Sequence, residues 1–177
     1  MKTDAPSGSE VTIARAEERD VLANLMQLYI HDFSEHWTGT SKGDLGNDGR
    51  FPEYPNLDSY WRDPDRIALL VRVNGRLAGF ALLNAVSHSG RPADRNMAEF
   101  FIARKYRRSG IGTAAAQTIF TRFPGQWEAA VARQNTGALT FWRNAIAKHP
   151  RVQDIEETDV AAGRWDGAIL RFRIAPA

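Results

Sequence analysis

The pattern of hydrophobic and polar residues predicts alternating strands and helices. Val11–Arg15 alternates with the period of two that is typical of a strand, and a helical period follows from Glu17. The apolar face of that helix comprises Val21, Leu22, Leu25, Leu28 and Tyr29. Glycine and proline then recur through residues 38–56, which predicts a long loop, and residues 56–63 can add one or two helical turns.

The clearest local signal is a β-hairpin. The runs Ile67–Val73 and Leu77–Leu83 are rich in strand-forming residues and flank Asn74-Gly75. Asparagine and glycine both tolerate the positive φ that a two-residue hairpin turn requires. A further strand is predicted at Met97–Ala103.

The second half of the chain predicts two helices and three strands. Apolar residues recur at helical spacing over Ile111–Phe123, and Asn135 can cap a second helix over about Gly137–Ala147. The strands are Trp127–Ala132, Val152–Thr158 and Ala168–Ile174. The whole order predicts an α/β (α+β) fold, in which helices cover both faces of one mixed sheet of six to seven strands.

Length and composition favour one globular domain, residues 10–177, preceded by a flexible tail, residues 1–9. Of the 177 residues, 43% are hydrophobic and 25% are charged, which is close to the average for a globular protein. The absence of cysteine excludes disulfides, thiolate metal sites and a cysteine nucleophile. No zinc site is expected either, because no H-x-x-x-H spacing occurs among His31, His36, His88 and His149.

Charge and hydropathy bear on location and partners. Lysine and arginine number 23 against 21 acidic residues, and a net charge of +2 is too small to imply nucleic-acid binding. No apolar run approaches the roughly 20 residues of a membrane span, and Met1–Glu10 lacks the apolar core of a signal peptide. We therefore expect a cytoplasmic monomer or homodimer with no membrane or nucleic-acid partner.

A cluster of positive charges and glycines follows the fourth predicted strand. Arg104–Arg108 contains four basic residues, and Ser109-Gly110-Ile111-Gly112 leads directly into a helix. A helix N-terminus presents unpaired N–H groups and a partial positive charge, and glycine lets a phosphate approach the backbone closely. The segment Tyr106–Gly112 therefore predicts a site for a polyanion such as a diphosphate. Neither the P-loop pattern nor G-x-G-x-x-G occurs in it, which disfavours a P-loop NTPase or a dinucleotide-dependent dehydrogenase.

Two motifs carry a resemblance to a known family. Arg107-x-x-Gly110-x-Gly112 resembles the R/Q-x-x-G-x-G/A acyl-CoA signature of the GNAT N-acetyltransferase superfamily. Downstream, Asn135-x-x-Ala138-x-x-Phe141-Trp142 is similar to the second CoA-contacting segment of that family, N-x-x-A-x-x-[LF]-Y. The resemblance spans residues 11–174 and includes the order of the elements, but it identifies no subfamily.

The resemblance implies an acyltransferase that uses acetyl-CoA as co-substrate. Backbone groups of Phe101, Ile102 and Ala103 would pair with the pantetheine arm, and Asn135 would contact the cofactor from the following helix. The diphosphate would lie on the amides of Arg107, Arg108, Ser109, Gly110, Ile111, Gly112 and Thr113. The acetyl group would pass to a primary amine of a small molecule or peptide by direct attack, at the place where the fourth and fifth strands separate.

Two residues bear on the catalysis that the resemblance implies. An amine of pKa about 10 must lose a proton before it attacks, and Glu99 is the candidate base, acting directly or through water. Glu99 can equally be a surface residue on an exposed strand face. Trp142 stands where the family has its usual general acid, a tyrosine, and an indole N–H does not reprotonate a thiolate at a useful rate. Either the acid is dispensable because a thiolate leaves readily, or another group serves, or catalysis is lost.

Residues for the acceptor amine are expected at the end of the first helix and in the long loop. Tyr29 and Asp32 would contribute from the helix. The stretch Asp44–Asp65 combines carboxylates with aromatic rings, among them Trp61, and this mixture suits a cationic substrate. The alternative is an ordinary acidic loop with a few docking aromatic residues.

Two functions of different classes therefore remain open. One is an acetyl-CoA-dependent N-acetyltransferase. The other is a catalytically silent acyl-CoA-binding domain that acts as a sensor or interaction module, which the replacement by Trp142 keeps open. Nucleic-acid contact through Arg104–Arg108 is a weaker third possibility, because the chain has one basic patch and a nearly balanced charge.

Overall fold

The computed structural model describes residues 9–177. Its strands are β1 Ser9–Ile13, β2 Ile67–Val73, β3 Arg76–Asn84, β4 Arg95–Ile102, β5 Gly125–Ala132, β6 Val152–Val160 and β7 Gly167–Ile174. Its α-helices are α1 Arg19–Ser34, α2 Ile111–Arg122 and α3 Thr136–Ala147. These elements follow the order predicted from the sequence. Of the expected N-terminal tail, residues 1–8 lie outside the described residues, and residue 9 belongs to β1.

The strands form one mixed sheet in the order β1-β2-β3-β4-β5-β7-β6. All neighbouring strands are antiparallel except β4 and β5, which run parallel. The chain crosses from β4 to β5 through α2, as a parallel pair requires. The predicted fold class is confirmed, with seven strands in the described part of the chain.

Helices cover both faces of the sheet. On one face, α1 buries Leu22 and Met26 against a cluster that includes Phe80 of β3. On the other face, α2 and α3 pack in a larger apolar cluster around Trp127 of β5. The prediction that Leu28 belongs to the buried face of α1 is wrong, because its side chain is 53% exposed. Leu28 follows Met26 by two residues and is therefore turned about 200° round the helix, away from the sheet.

The turn between β2 and β3 is the predicted hairpin turn. Asn74 and Gly75 alone separate the two strands, with φ values of 51° and 74°. Two successive positive φ values fit a type I′ turn, whose twist matches that of the strands it joins. The asparagine–glycine pair thus sets the register between β2 and β3, and β3 in turn pairs with β4.

The sheet opens between its two parallel strands. β4 and β5 pair at Arg95–Trp127 and Asn96–Glu128, and no further pairs join them among the described residues. On its other side, β4 contains a bulge, because Leu82 is opposite Glu99 while Leu83 is opposite Met97, which leaves Ala98 as the extra residue. We call the opening between residues 97–102 of β4 and residues 129–132 of β5 the β4–β5 gap.

A buried ion pair fixes the closed end of this gap. Glu128 of β5 is fully buried and accepts a hydrogen bond from Arg171 of β7, itself only 6% exposed. Glu128 also accepts from the His88 amide at 2.8 Å and the Ser87 hydroxyl at 3.0 Å, while Arg171 donates to the Pro92 carbonyl at 3.0 Å. The loop between β3 and β4 is thereby tied to β5 and β7.

Candidate functional site

Consecutive backbone amides stand free at the start of α2. The N–H groups of Arg108 to Thr113 have no hydrogen-bond acceptor within residues 9–177, and the first bond of the helix joins Ala114 N to Gly110 O at 2.9 Å. Arg108 and Gly110 have positive φ values of 60° and 84°, which turn the chain into the helix. We call these free amides the amide cradle. They provide the donors and the positive helix end that a diphosphate prefers.

The space over the amide cradle is open. A Cβ atom built on Gly110 would meet no atom within 4 Å, whereas one on Gly112 would lie 3.3 Å from the Phe141 ring. Gly112 therefore allows α2 and α3 to approach each other, and Gly110 leaves the amides accessible. The residues present fit a diphosphate, because donors and room occur at the same place.

The basic side chains of this segment divide into two groups. Arg104 and Arg107 both form ion pairs with Asp32 of α1, the former at 2.8 Å. Burial raises the pKa of Asp32, but the hydrogen bonds from the two guanidinium groups outweigh it and hold this pKa below its usual range. Lys105 lies over the Tyr106 ring, and Arg108 forms no ion pair with a described residue. Arg108 is thus the arginine of this cluster that remains available to an anion.

The placement of Arg107 differs from the prediction. Its amide donates to the Arg104 carbonyl at 3.2 Å, and its Nε donates to the Ile102 carbonyl at 2.6 Å. Its guanidinium also lies over the Phe101 ring. Neither its amide nor its side chain is therefore free, since the Arg104 carbonyl engages the amide and Asp32 of α1 engages the guanidinium. The amide cradle therefore begins at Arg108.

The backbone of β4 presents alternate residues to the gap. The Ala103 amide donates to the Ala78 carbonyl of β3, and the Phe101 carbonyl lies against Gly79 of β3. Because hydrogen-bonded pairs alternate along antiparallel strands, Phe100 and Ile102 direct their backbone groups towards the β4–β5 gap. Of the three residues predicted to pair with pantetheine, Ile102 keeps a free amide at the gap, although its carbonyl accepts from Arg107, whereas the backbone of Phe101 and Ala103 is turned to β3.

A cavity of about 710 Å³ extends from the β4–β5 gap to the end of α1. Tyr29 of α1, Glu99 of β4, Asn135 and Trp142 all line it. We call it the central cavity. The predicted residue Trp61 lies outside its lining, and its indole N–H donates to the Ala14 carbonyl at 3.0 Å. Asp32 is also absent from the lining, since the two arginines engage it.

Glu99 is partly buried and held by two tyrosines. Its Oε1 accepts a hydrogen bond from Tyr54 at 2.9 Å, and its Oε2 accepts one from Tyr29. Burial raises the pKa of Glu99 above its usual value, and the two phenol hydrogen bonds reduce this rise without cancelling it. Glu99 is therefore not a residue of an exposed strand face. A carboxylate with a raised pKa beside a cavity is suited to proton transfer near neutral pH.

Both tyrosines remain protonated in this arrangement. Burial and the adjacent negative charge of Glu99 raise the pKa of Tyr29 and that of Tyr54 well above the ordinary phenol value. Each phenol therefore keeps its proton and donates a hydrogen bond to the carboxylate of Glu99. The contact between Tyr54 and Glu99 was not predicted. Tyr54 lies in the long loop, and no local pattern connects residues that are 45 positions apart.

Asn135 and Trp142 line the central cavity from α3. The Oδ1 of Asn135 accepts from the Ala138 amide at 3.1 Å, which confirms the predicted helix cap. The Asn135 side-chain amide has no acceptor among residues 9–177, nor does the indole N–H of Trp142. Trp142 itself is buried against Phe100 and Phe141, with ring centroids at 5.1 Å and 4.9 Å. Both free donors are placed beside the β4–β5 gap.

Comparison with known proteins agrees with this geometry. The sequence profile of the acetyltransferase (GNAT) family matches residues 22–145, so the chain belongs to the GNAT acetyltransferase family. The protein is accordingly an acyltransferase enzyme. No curated protein matches the chain.

Solved structures of other acetyltransferases share the fold at low sequence identity. An acetyltransferase from Thermus thermophilus is 13% identical, with a TM-score of 0.66 over 97% of this chain and 99% of that one. The PaiA N-acetyltransferase from Thermoplasma acidophilum, in complex with coenzyme A, is 14% identical, with a TM-score of 0.54 over 96% and 100%. A GNAT acetyltransferase from Streptococcus pneumoniae is 16% identical, with a TM-score of 0.53 over 94% and 99%.

Within residues 9–177, no helix has the length and apolar character to span a membrane.

Proposed function

We propose that the protein transfers the acetyl group of acetyl-CoA to a primary amine by direct attack, and that Glu99 accepts the proton of the amine. One observation carries the proposal: the open edge of β4 has the amide cradle at one end and a tyrosine-held carboxylate at the other. Such an edge offers the two features that this reaction needs, a place for a diphosphate and a proton acceptor beside the reacting carbonyl.

The chain offers a separate group for each part of the coenzyme. The amide cradle, with the unpaired Arg108, would hold the diphosphate. The backbone groups of Phe100 and the free amide of Ile102, which face the β4–β5 gap, would pair with the pantetheine arm, as an added strand does. The side-chain amide of Asn135 would donate to the same arm from α3.

The transfer needs one nucleophile, one leaving group and one proton acceptor, and Glu99 of the central cavity would be the proton acceptor. The thioester supplies the acetyl carbonyl; the amine nitrogen forms a C–N bond with it, the C–S bond breaks and a thiolate leaves. The proton of the attacking amine passes to Glu99, directly or through a water molecule. Because burial raises the pKa of Glu99, its affinity for this proton exceeds that of an exposed glutamate.

Trp142 would serve the leaving group as a hydrogen-bond donor. Its indole N–H has no acceptor among the described residues and lies beside the β4–β5 gap. An indole does not transfer its proton, so it would stabilise the thiolate without protonating it. A thiol with a pKa of about 8.5 leaves readily as the anion, and no general acid is then required.

Free thiol release tests the proposal. Purified protein is incubated with acetyl-CoA and a panel of primary amines, and the rate is compared between wild type and Glu99→Gln. Loss of a general base typically lowers the rate about 100-fold or more, while the thermal shift produced by CoA is retained. Glu10→Gln is the control, because it removes an exposed carboxylate on β1 and leaves the rate unchanged. An unchanged rate in Glu99→Gln excludes Glu99 as the base.

The same assay distinguishes this activity from a catalytically silent CoA-binding domain, the alternative that the presence of Trp142 in place of a tyrosine left open. The two candidates differ in one measurement. A domain of this second kind is stabilised by CoA and releases no thiol above the background with any amine of the panel.

A further inference from the structure

The lining of the central cavity points to the kind of amine that it accepts. We infer that the acceptor is a primary monoamine attached to an aromatic or similarly apolar body, and not a polyamine or another multiply charged cation. The inference rests on the proposed function, because it assigns the acceptor of that reaction. It is carried by the position of the acidic residues, by the aromatic walls and by the single partly buried carboxylate of the cavity lining.

Five of the six acidic residues between Asp44 and Asp65 lie outside the lining of the cavity. Asp58 pairs with Arg19 at 2.5 Å and Asp63 with Arg66 at 3.4 Å. Glu53 alone lines the cavity, as an exposed residue at its rim. The acids of this stretch that are not part of the lining are Asp44, Asp48, Asp58, Asp63 and Asp65. The predicted general attraction of this stretch for a cationic substrate therefore does not extend into the cavity, where Glu99 is the one partly buried carboxylate of the lining.

Aromatic rings form two walls of the cavity. At the end of α1, Phe33 lies 5.7 Å from Tyr29 and 5.1 Å from Trp37, measured between ring centroids. On the side of β5, the rings of His88 and Trp165 lie 4.7 Å apart. All five residues line the cavity. Walls of this kind suit an aromatic ring or another apolar body, whose surface they bury.

The cavity offers one partly buried anionic group, the carboxylate of Glu99. Neutral polar residues such as Asn96 and Asn135 also line it, but they carry no charge. One carboxylate suits one ammonium or amine group. A second or third ammonium would lie among the aromatic walls without a partly buried carboxylate, and an unpaired charge in such surroundings is unfavourable. The rim adds no net attraction, because the exposed residues Glu53 and Lys42 carry opposite charges.

Binding measurements test the inference independently of turnover. Calorimetry gives the Kd of 2-phenylethylamine, ethylamine and spermidine for the protein saturated with CoA, and again without CoA. We expect 2-phenylethylamine to bind about tenfold or more tightly than ethylamine, because ethylamine lacks the ring, and spermidine to bind no more tightly than ethylamine. Spermidine binding as tightly as 2-phenylethylamine, or equal affinities for all three, overturns the inference.

Variants of Trp37 locate the effect in the aromatic wall. Trp37→Ala is expected to weaken 2-phenylethylamine binding about tenfold and to leave the Kd of ethylamine unchanged, while Trp37→Phe restores most of the loss. Leu28→Ala is the matched control, since it shortens an exposed apolar side chain of α1, the helix that precedes Trp37, and lies outside the cavity. If Trp37→Ala binds 2-phenylethylamine as wild type does, the wall does not hold the acceptor.

Failure of the inference differs from failure of the proposed function. If thiol release occurs with amines but shows no preference for the aromatic one, the inference fails and the acetyltransferase assignment stands. If CoA neither binds nor is consumed, the proposed function fails. In that case the amine affinities measured without CoA still confirm or refute the aromatic preference of the cavity.

Discussion

Gly110→Asp places a carboxylate at the centre of the amide cradle. Gly110 has a φ of 84°, and a Cβ atom on it would meet nothing within 4 Å, so the substituent enters open space and not the protein core. The left-handed conformation costs a typical L-residue about 1–2 kcal/mol, and aspartate and asparagine tolerate it better than most. The variant therefore remains folded, with a loss in unfolding free energy of about 1 kcal/mol.

The effect on an anion is larger than the effect on the fold. A carboxylate about 6 Å from a diphosphate of charge about −2, at an effective dielectric constant of about 40 to 80, is repelled by about 1–3 kcal/mol. This corresponds to a Kd for CoA that is weaker by about 5- to 150-fold. Asparagine has nearly the same shape and the same tolerance of the left-handed conformation, but it carries no charge. The pair Gly110→Asp and Gly110→Asn therefore separates repulsion from backbone strain.

Calorimetric titration with CoA measures both variants and the wild type at low and high salt. Gly110→Asn is expected to bind CoA close to the wild-type affinity, and the deficit of Gly110→Asp is expected to shrink as salt screens the repulsion. Equal affinities of the two variants at low salt would show that the diphosphate does not lie on the amide cradle. Thermal denaturation of both proteins without CoA provides the check on folding.

Two further predictions concern buried charges. Because burial raises the pKa of Glu99, Glu99→Gln is expected to melt at a higher temperature than wild type at neutral pH. The difference in melting temperature should vanish as the pH falls below the ordinary glutamate pKa of 4.5, where both side chains are neutral. Melting curves that keep a constant difference across this pH range contradict the prediction. Glu128→Ala leaves Arg171 buried without its partner and is expected to lower the unfolding free energy by about 3–5 kcal/mol in urea titrations. Arg173→Ala, which breaks the exposed pair with Asp154, should lower it by less than about 1 kcal/mol, and similar losses in the two variants would refute this account.

The elements set by neighbouring residues could be predicted from the sequence. The Asn74-Gly75 turn and the Asn135 cap each depend on local backbone conformation, and both have the predicted structure. The amides that begin α2 are free for an equally local reason, since a helix cannot satisfy the N–H groups of its own first turn. Local chemistry thus predicted the element order and the position of the free amides at the start of α2.

Contacts between distant residues could not be predicted in this way. The use of Arg107 depends on Asp32, which lies on another element and is brought near by the packing of α1. The same is true of Tyr54, whose contact with Glu99 arises from the path of a long loop that has no periodic pattern. For the same reason the composition of Asp44–Asp65 could not predict which of its acidic residues line the central cavity, since composition records which residues occur and not where they lie.

The opening between β4 and β5 gives this sheet an edge in its interior. Exposed strand edges invite pairing with other chains, and proteins usually shield them with charges, proline or short length. Here the free amides of Phe100 and Ile102 lie inside the sheet, between two strands that are joined at one end, and not along its outer margin. The free donors of β4 are therefore kept apart from the outer strands at which other chains pair, and in hydrogen exchange the amides of these two residues should exchange faster than that of Phe101 between them.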